Sequence, residues 1–126
     1  MKKRVLICDD DPDILFICGY VFEKQGCEVN TSTHCNNIIE MVSEVKPDII
    51  LMDNWIPDTG GIVASRTIKS HEEFKKIPIV YFSANNDIKS LAQQAGADAF
   101  LAKPFDLEEL EKLIDDLMFK KEETTV

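Results

Sequence analysis

Strand-length apolar runs alternate with helix-length amphipathic stretches along this chain, and few folds accommodate that rhythm. Arg4–Cys8 reads as a short buried strand closed by acidic residues. Asp11 and Pro12 then supply a helix cap and a first helical residue whose φ is already suitable, so a helix is expected to about Gln25, stopped by Gly26. Glu28–Thr31 is more polar, as an edge strand would be, and Asn36–Val45 predicts a second helix ended ahead of Pro47. Asp48–Asp53 is apolar throughout its middle, which suits a strand covered on both faces. Pro57, Gly60 and Gly61 mark a loop before a helix over about Ile62–Ser70. Ile77–Phe82 is a fourth strand ending at Ser83, and Asp87–Ala95 a fourth helix closed at Gly96. Ala97–Ala102 is a fifth strand, broken by Lys103-Pro104. Asp106 and Glu109 have capping-box spacing and open a last helix to about Phe119, leaving Lys120–Val126 as a polar tail.

Five strands interleaved with five helices imply a parallel sheet with helices on both faces, a doubly wound α/β fold. The chain has 126 residues, 44% of them hydrophobic, which suffices for one core and one domain, with its body over about residues 4–119. No apolar run approaches the roughly 20 residues that span a bilayer, and Val5–Cys8 is too short for a signal-peptide core, so a cytoplasmic location with no membrane insertion is expected. A formal net charge of −9 argues against a nucleic-acid surface. Cys8, Cys18, Cys27 and Cys35 show neither C-x-x-C nor zinc spacing and read as free thiols filling apolar space.

In a doubly wound sheet, ligands bind beyond the carboxyl ends of the strands, and this sequence puts its chemistry there. The first strand runs into Asp9, Asp10 and Asp11, the third ends in Asp53, the fourth in Ser83, and Lys103 follows the fifth. Clustered carboxylates repel one another, and a hard divalent cation such as Mg²⁺ relieves that repulsion. A carboxylate beside such a metal can act as a nucleophile toward phosphorus. Lys103 and the Ser83 hydroxyl would then neutralise phosphoryl oxygens. Each signal alone is an ordinary cap or turn residue; their convergence on the strand tips carries the argument.

Taken together, these motifs resemble the receiver domains of two-component response regulators, over about Arg4 to Phe119. The resemblance matches Asp9 and Asp10 to the family's acidic metal-binding pair and Asp53 to its phosphoacceptor. It matches Ser83-Ala84 to the switch hydroxyl with its small neighbour and Lys103-Pro104 to the lysine and the proline after it, a bond commonly cis in that family. Pro57 and Gly61 fit the loop after the aspartate, and Phe100 the aromatic switch position. The implied fold is flavodoxin-like with strand order 2-1-3-4-5. The implied function is a phosphorylation switch, not an enzyme with a separate substrate. Asp53 would take phosphate from a sensor histidine kinase or histidine phosphotransfer protein in a Mg²⁺-dependent reaction, then relay it or alter binding to a downstream protein. The backbone carbonyl of Trp55 joins Asp9, Asp10 and Asp53 as an expected metal ligand.

Three further expectations concern rate and partners. The bulk of Trp55, two residues after Asp53, would obstruct attacking water; the competing reading has it packed on its loop. The first helix is over-apolar, since every residue of Ile14–Phe22 except Gly19 is apolar and one buried face needs only three or four per two turns. Ile14 and Ile17, with Pro104 and Phe105, are therefore expected to dock a histidine-bearing donor; the alternative is a broadly buried helix. Phe100 would rotate inward when phosphate draws on Ser83, unless it is an ordinary core aromatic. A rival enzyme reading uses the spacing Asp9-x-Asp11, which resembles aspartate-nucleophile phosphohydrolases, although Pro12 and the lack of a cap insertion oppose it.

Overall fold

The computed structural model describes residues 2–119. Five strands, β1 (Arg4–Cys8), β2 (Glu28–Ser32), β3 (Ile49–Asp53), β4 (Ile79–Ser83) and β5 (Ala99–Ala102), form one parallel sheet in the order β2-β1-β3-β4-β5. Between them run α1 (Pro12–Lys24), α2 (Ile38–Val45), α3 (Gly61–Lys69) and α4 (Ile88–Ala95), and α5 (Leu107–Ile114) follows, passing into a π-helical turn over Asp115–Phe119. The period of two within each apolar strand sorts its side chains to opposite faces. Leu6, Cys8, Ile50, Met52, Ile79 and Tyr81 pack with α2, α3 and α4, whereas Val5, Ile7, Ile49, Leu51, Val80 and Phe82 pack with α1 and α5. The two-sided burial explains why β1, β3 and β4 read as continuous apolar runs. Polar β2 lies at one edge, as expected.

Several boundaries differ from the sequence expectation, each for a local reason. The second helix starts at Ile38, not Asn36, because the Asn36 amide oxygen accepts from the Thr59 hydroxyl at 3.2 Å and ties that residue to the loop after β3. β4 starts at Ile79 because Pro78 has no N–H and the Ile77 carbonyl accepts from the Lys69 ammonium. β5 starts at Ala99 because the Asp98 carboxylate is committed to Lys69 Nζ at 2.7 Å and to the Ile79 N–H at 2.8 Å. The last helix is α-helical only to Ile114, and the wider turn after it buries Met118 against the α1 side of the sheet. The expected polar tail at 120–126 lies outside the described residues. Asp11 caps α1 through the Asp13 N–H, and Gly26 takes φ +87° beyond its end, both as read from sequence. The four cysteines are free and buried, and burial pushes the Cys18 thiol up to about 12.

Candidate functional site

Sheet register decides which residues meet. Cys8 pairs with Met52, so Asp9 and Asp53 are neighbours at the ends of β1 and β3. Asp53 pairs with Phe82 and Ser83 with Ala102, which brings Ser83 and Lys103 to the same edge. The chain leaves β1 for β2 on one side and returns to β3 on the other, opening a crevice there. A cleft of about 450 Å³ lies at that point, and Asp9, Asp10, Asp53, Trp55, Ser83 and Lys103 are among its walls.

Its centre is one ammonium held between two carboxylates. Lys103 Nζ donates to Asp9 Oδ2 at 2.8 Å and to Asp53 Oδ1 at 2.9 Å. Asp9 is fully buried and Asp53 is 5% exposed, while Asp10 is exposed. Burial works against the Lys103 charge, yet the hydrogen bonds and negative charge of Asp9 and Asp53 prevail and hold its pKa above the ordinary lysine value. Burial raises the Asp53 carboxyl above its ordinary value; the Lys103 bond opposes this, Asp9 reinforces it, and the Trp55 N–H, donating to Oδ2 at 3.2 Å, opposes it. The remaining Asp9 oxygen accepts from the Asp11 N–H at 2.9 Å. Ser83 Oγ accepts the Asn85 N–H at 3.0 Å, leaving its own proton for another acceptor.

The donor set fits a hard cation. One carboxylate oxygen each from Asp9, Asp10 and Asp53 lie within 4.8 Å of one another, close to the roughly 4 Å across an octahedral Mg²⁺ shell. An all-oxygen, carboxylate-rich set selects Mg²⁺, Ca²⁺ or Mn²⁺ over softer metals. Asp11 stands apart, since its carboxylate caps α1, which weakens the Asp9-x-Asp11 hydrolase reading.

Other expected residues fall in two places. Ile14, Ile17, Pro104 and Phe105 line one groove of about 560 Å³ that shares Ala84 and Lys103 with the cleft. α1 is not broadly buried, because Phe16, Ile17 and Tyr20 are exposed. Trp55 is 72% exposed and is not packed into its loop. Phe100 lies exposed on β5 and is not a core aromatic. The Lys103-Pro104 bond is cis.

Sequence reading missed a brace under Asp53. The Tyr81 hydroxyl donates to Asn54 Oδ1 at 2.5 Å, joining β4 to the residue after Asp53. Burial, with the Asp53 charge adding to it, pushes the Tyr81 hydroxyl up to about 12, so it stays a donor at neutral pH. Gly61 was placed in the loop, but its position is more specific. A Cβ there would overlap the Asp53 carbonyl oxygen and stand 2.9 Å from the Tyr81 hydroxyl. No local signal marks that proximity, which arises where α3 starts against the end of β3.

Comparison with known proteins bears on this arrangement. Residues 5–115 match the family model described as response regulator receiver domain. The chain is 33% identical over 108 residues to the CAI-1 autoinducer sensor kinase/phosphatase CqsS of Vibrio cholerae, covering 83% of this chain and 16% of that protein. It is 28% identical over 114 residues to the regulatory protein AtoC of Escherichia coli, covering 89% of this chain and 24% of that one. The chain thus spans a quarter or less of these relatives. Among solved structures, a putative response regulator from Chloroflexus aurantiacus superposes with TM-score 0.87 at 24% identity, covering 93% and 98% of the two chains. The receiver domain of a sensor histidine kinase from Pseudomonas aeruginosa, which holds a magnesium ion in its active-site cleft, gives TM-score 0.84 at 25% identity with the same coverage. With match and fold agreeing over nearly its whole described length, the chain belongs to the response regulator receiver domain family of two-component signalling.

Proposed function

We propose that this chain works as a phosphorylation switch whose phosphoacceptor is Asp53, with Mg²⁺ held by Asp9, Asp10, Asp53 and the Trp55 backbone carbonyl. The observation that carries the reading is the Lys103 ammonium bonded to both Asp9 and Asp53. An oxygen of Asp53 attacks the phosphorus of a phosphohistidine, the O–P bond forms, and the imidazole leaves as the N–P bond breaks. Lys103 keeps its proton and supplies fixed positive charge beside the transferred group. The Ser83 hydroxyl donates its free proton to a phosphoryl oxygen. Mg²⁺, when bound, neutralises charge on the phosphoryl oxygens. Water later hydrolyses the acyl phosphate, so the domain acts on itself and turns over no separate substrate.

The donor is a histidine kinase or a phosphotransfer protein, docking on Ile14, Ile17, Pro104 and Phe105 beside the cleft. Output comes from displacement of Ser83 toward phosphate, with inward rotation of Phe100 changing the β5 surface read by a downstream protein. No helix among the described residues is long and apolar enough to cross a membrane, which accords with a proposed cytoplasmic site of action. Incubation with a small acyl phosphate and Mg²⁺ tests the reading, with intact mass and Phos-tag mobility measured for wild type and Asp53→Asn. A labile, Mg²⁺-dependent phosphate on wild type alone is expected. Phosphate on neither protein would overturn the reading and leave a constitutive binding module in its place.

A further inference from the structure

A core aromatic carries a hydroxyl that packing does not require. Tyr81 is fully buried on the α2–α4 side of the sheet, in one cluster with Ile50, Met52, Ile56 and Ile79. Phe would fill the same space, and a phenolic hydroxyl taken out of water is costly unless it finds a partner. Its partner lies outside the core. Tyr81 stands beside Met52 in the sheet, and its ring reaches past the end of β3 to Asn54 Oδ1, to which the hydroxyl donates at 2.5 Å. Asn54 is held by its backbone as well. Its N–H donates to the Phe82 carbonyl at 2.8 Å, and its carbonyl accepts the Gly61 N–H at 3.1 Å. Gly61 closes the loop that Asn54 opens, and a Cβ there would stand 3.0 Å from Asn54 Cα and 2.9 Å from the Tyr81 hydroxyl. Both ends of the loop between β3 and α3 therefore meet at that hydroxyl.

Trp55 follows Asn54 directly, and its own side chain does not anchor it, because the indole is 72% exposed. Its N–H donates to Asp53 Oδ2 at 3.2 Å, at the long end of the range for such a bond. We infer that Tyr81 is a positioning residue for the metal site: its hydroxyl, acting through Asn54, fixes the peptide between Asn54 and Trp55 and so sets where the Trp55 N–H and carbonyl point. The inference rests on the reading of the Trp55 carbonyl as a Mg²⁺ ligand, and on Asp53 as phosphoacceptor only for what that metal serves. A group that holds a ligand from behind sets the ligand's orientation, and Mg²⁺ demands near-octahedral geometry from the oxygens it accepts. Tyr81 does not line the cleft, whereas Asn54 does, so the hydroxyl acts through the amide.

Titration of the full chain with Mg²⁺ tests this, followed by the emission of Trp55, its single tryptophan, and by the rise in Tm. Tyr81→Phe keeps the ring and removes the hydroxyl, and its Kd for Mg²⁺ is expected to rise about tenfold, the low end for loss of a group behind a metal ligand. Acyl-phosphate labelling at limiting Mg²⁺ is expected to slow by the same factor. Asn54→Ala breaks the same bond from the other side, so the double variant should lose no more affinity than the weaker-binding single one. Ile79→Val separates positioning from plain destabilisation, because Ile79 is buried on the same face of the same strand but at its far end. It should lower Tm and leave the Kd unchanged. An unchanged Kd in Tyr81→Phe, additive losses in the double variant, or an equal loss in Ile79→Val would overturn the inference. Wild type that binds no Mg²⁺ overturns it together with the metal reading. Wild type that binds Mg²⁺ and takes no phosphate removes the phosphoacceptor reading alone, and the affinities still decide the role of Tyr81.

Discussion

Removing the charge of the proposed phosphoacceptor should stabilise the fold in the absence of metal. Asp53 is nearly buried, with the Lys103 ammonium 2.9 Å away and the Asp9 carboxylate within 4.8 Å. At an effective dielectric of about 20, the Lys103 attraction is about 6 kcal/mol and the Asp9 repulsion about 3.5 kcal/mol. Burial of a carboxylate costs several kcal/mol more. Burial and repulsion together exceed the attraction, which is why the carboxyl titrates above its ordinary value. Asp53→Asn keeps an acceptor for Lys103 and removes the buried charge, for a net gain of order 1–2 kcal/mol. For a domain of this size that is about 4–8 °C in Tm, at about 4 °C per kcal/mol. The sign with pH follows from the raised carboxyl. Below the ordinary carboxylate range both folded and unfolded chains carry the proton and the advantage is absent. It grows between the ordinary and the raised value and is complete at neutral pH. Mg²⁺ at hundredfold excess over Kd reverses the ranking by binding the folded wild type, which gains about 2.7 kcal/mol, or about 11 °C. The assay is thermal melting of both proteins at pH 7.5 and pH 4.5, with EDTA or Mg²⁺. A lower Tm for Asp53→Asn in EDTA at neutral pH would refute the balance, because attraction to Lys103 would then outweigh burial and Asp9.

Gly61→Ala forces a methyl group into the Asp53 carbonyl and should cost about 2–3 kcal/mol or more, lowering Tm by roughly 10 °C in a melt and slowing acyl-phosphate labelling. The raised Lys103 pKa contributes stability that is complete below about pH 10.5 and lost as pH rises through the folded value, so chemical denaturation across pH 9–12 should fall more steeply for wild type than for Lys103→Met. Tyr81, pushed up to about 12, adds a loss of the same sign above its ordinary value in both proteins. Trp55→Asn opens the cleft mouth to water and should shorten the life of the phosphorylated protein about tenfold, or 1.4 kcal/mol in barrier, by Phos-tag decay; unchanged decay would show that the exposed indole shields nothing.

Most of the site was legible because each of its residues is anchored to a strand end. A strand buried on both faces is apolar until it nears the end of the sheet, so Asp9, Asp53, Ser83 and Lys103 are conspicuous where the apolar runs stop. The groove was half legible, in that surplus apolar residues on α1 are visible as composition. Which of them face outward, Phe16, Ile17 and Tyr20, depends on where α1 rests on the sheet. Boundaries slipped where side chains far apart in sequence competed for backbone groups, as Lys69 and Asp98 do at the starts of β4 and β5.

The amino-acid order by itself determined the period-two and helical patterning, the caps at Asp11 and Asp106 and the left-handed stop at Gly26, because those depend on neighbours within a few residues. Tertiary structure alone decided that Lys103 bridges Asp9 and Asp53 and that Tyr81 and Gly61 brace the residue after β3. It also joined α1 to the loop before α5 in one apolar groove. Sheet order and register create these contacts, and they are set by the pairing and packing of all five strands at once rather than by any local stretch.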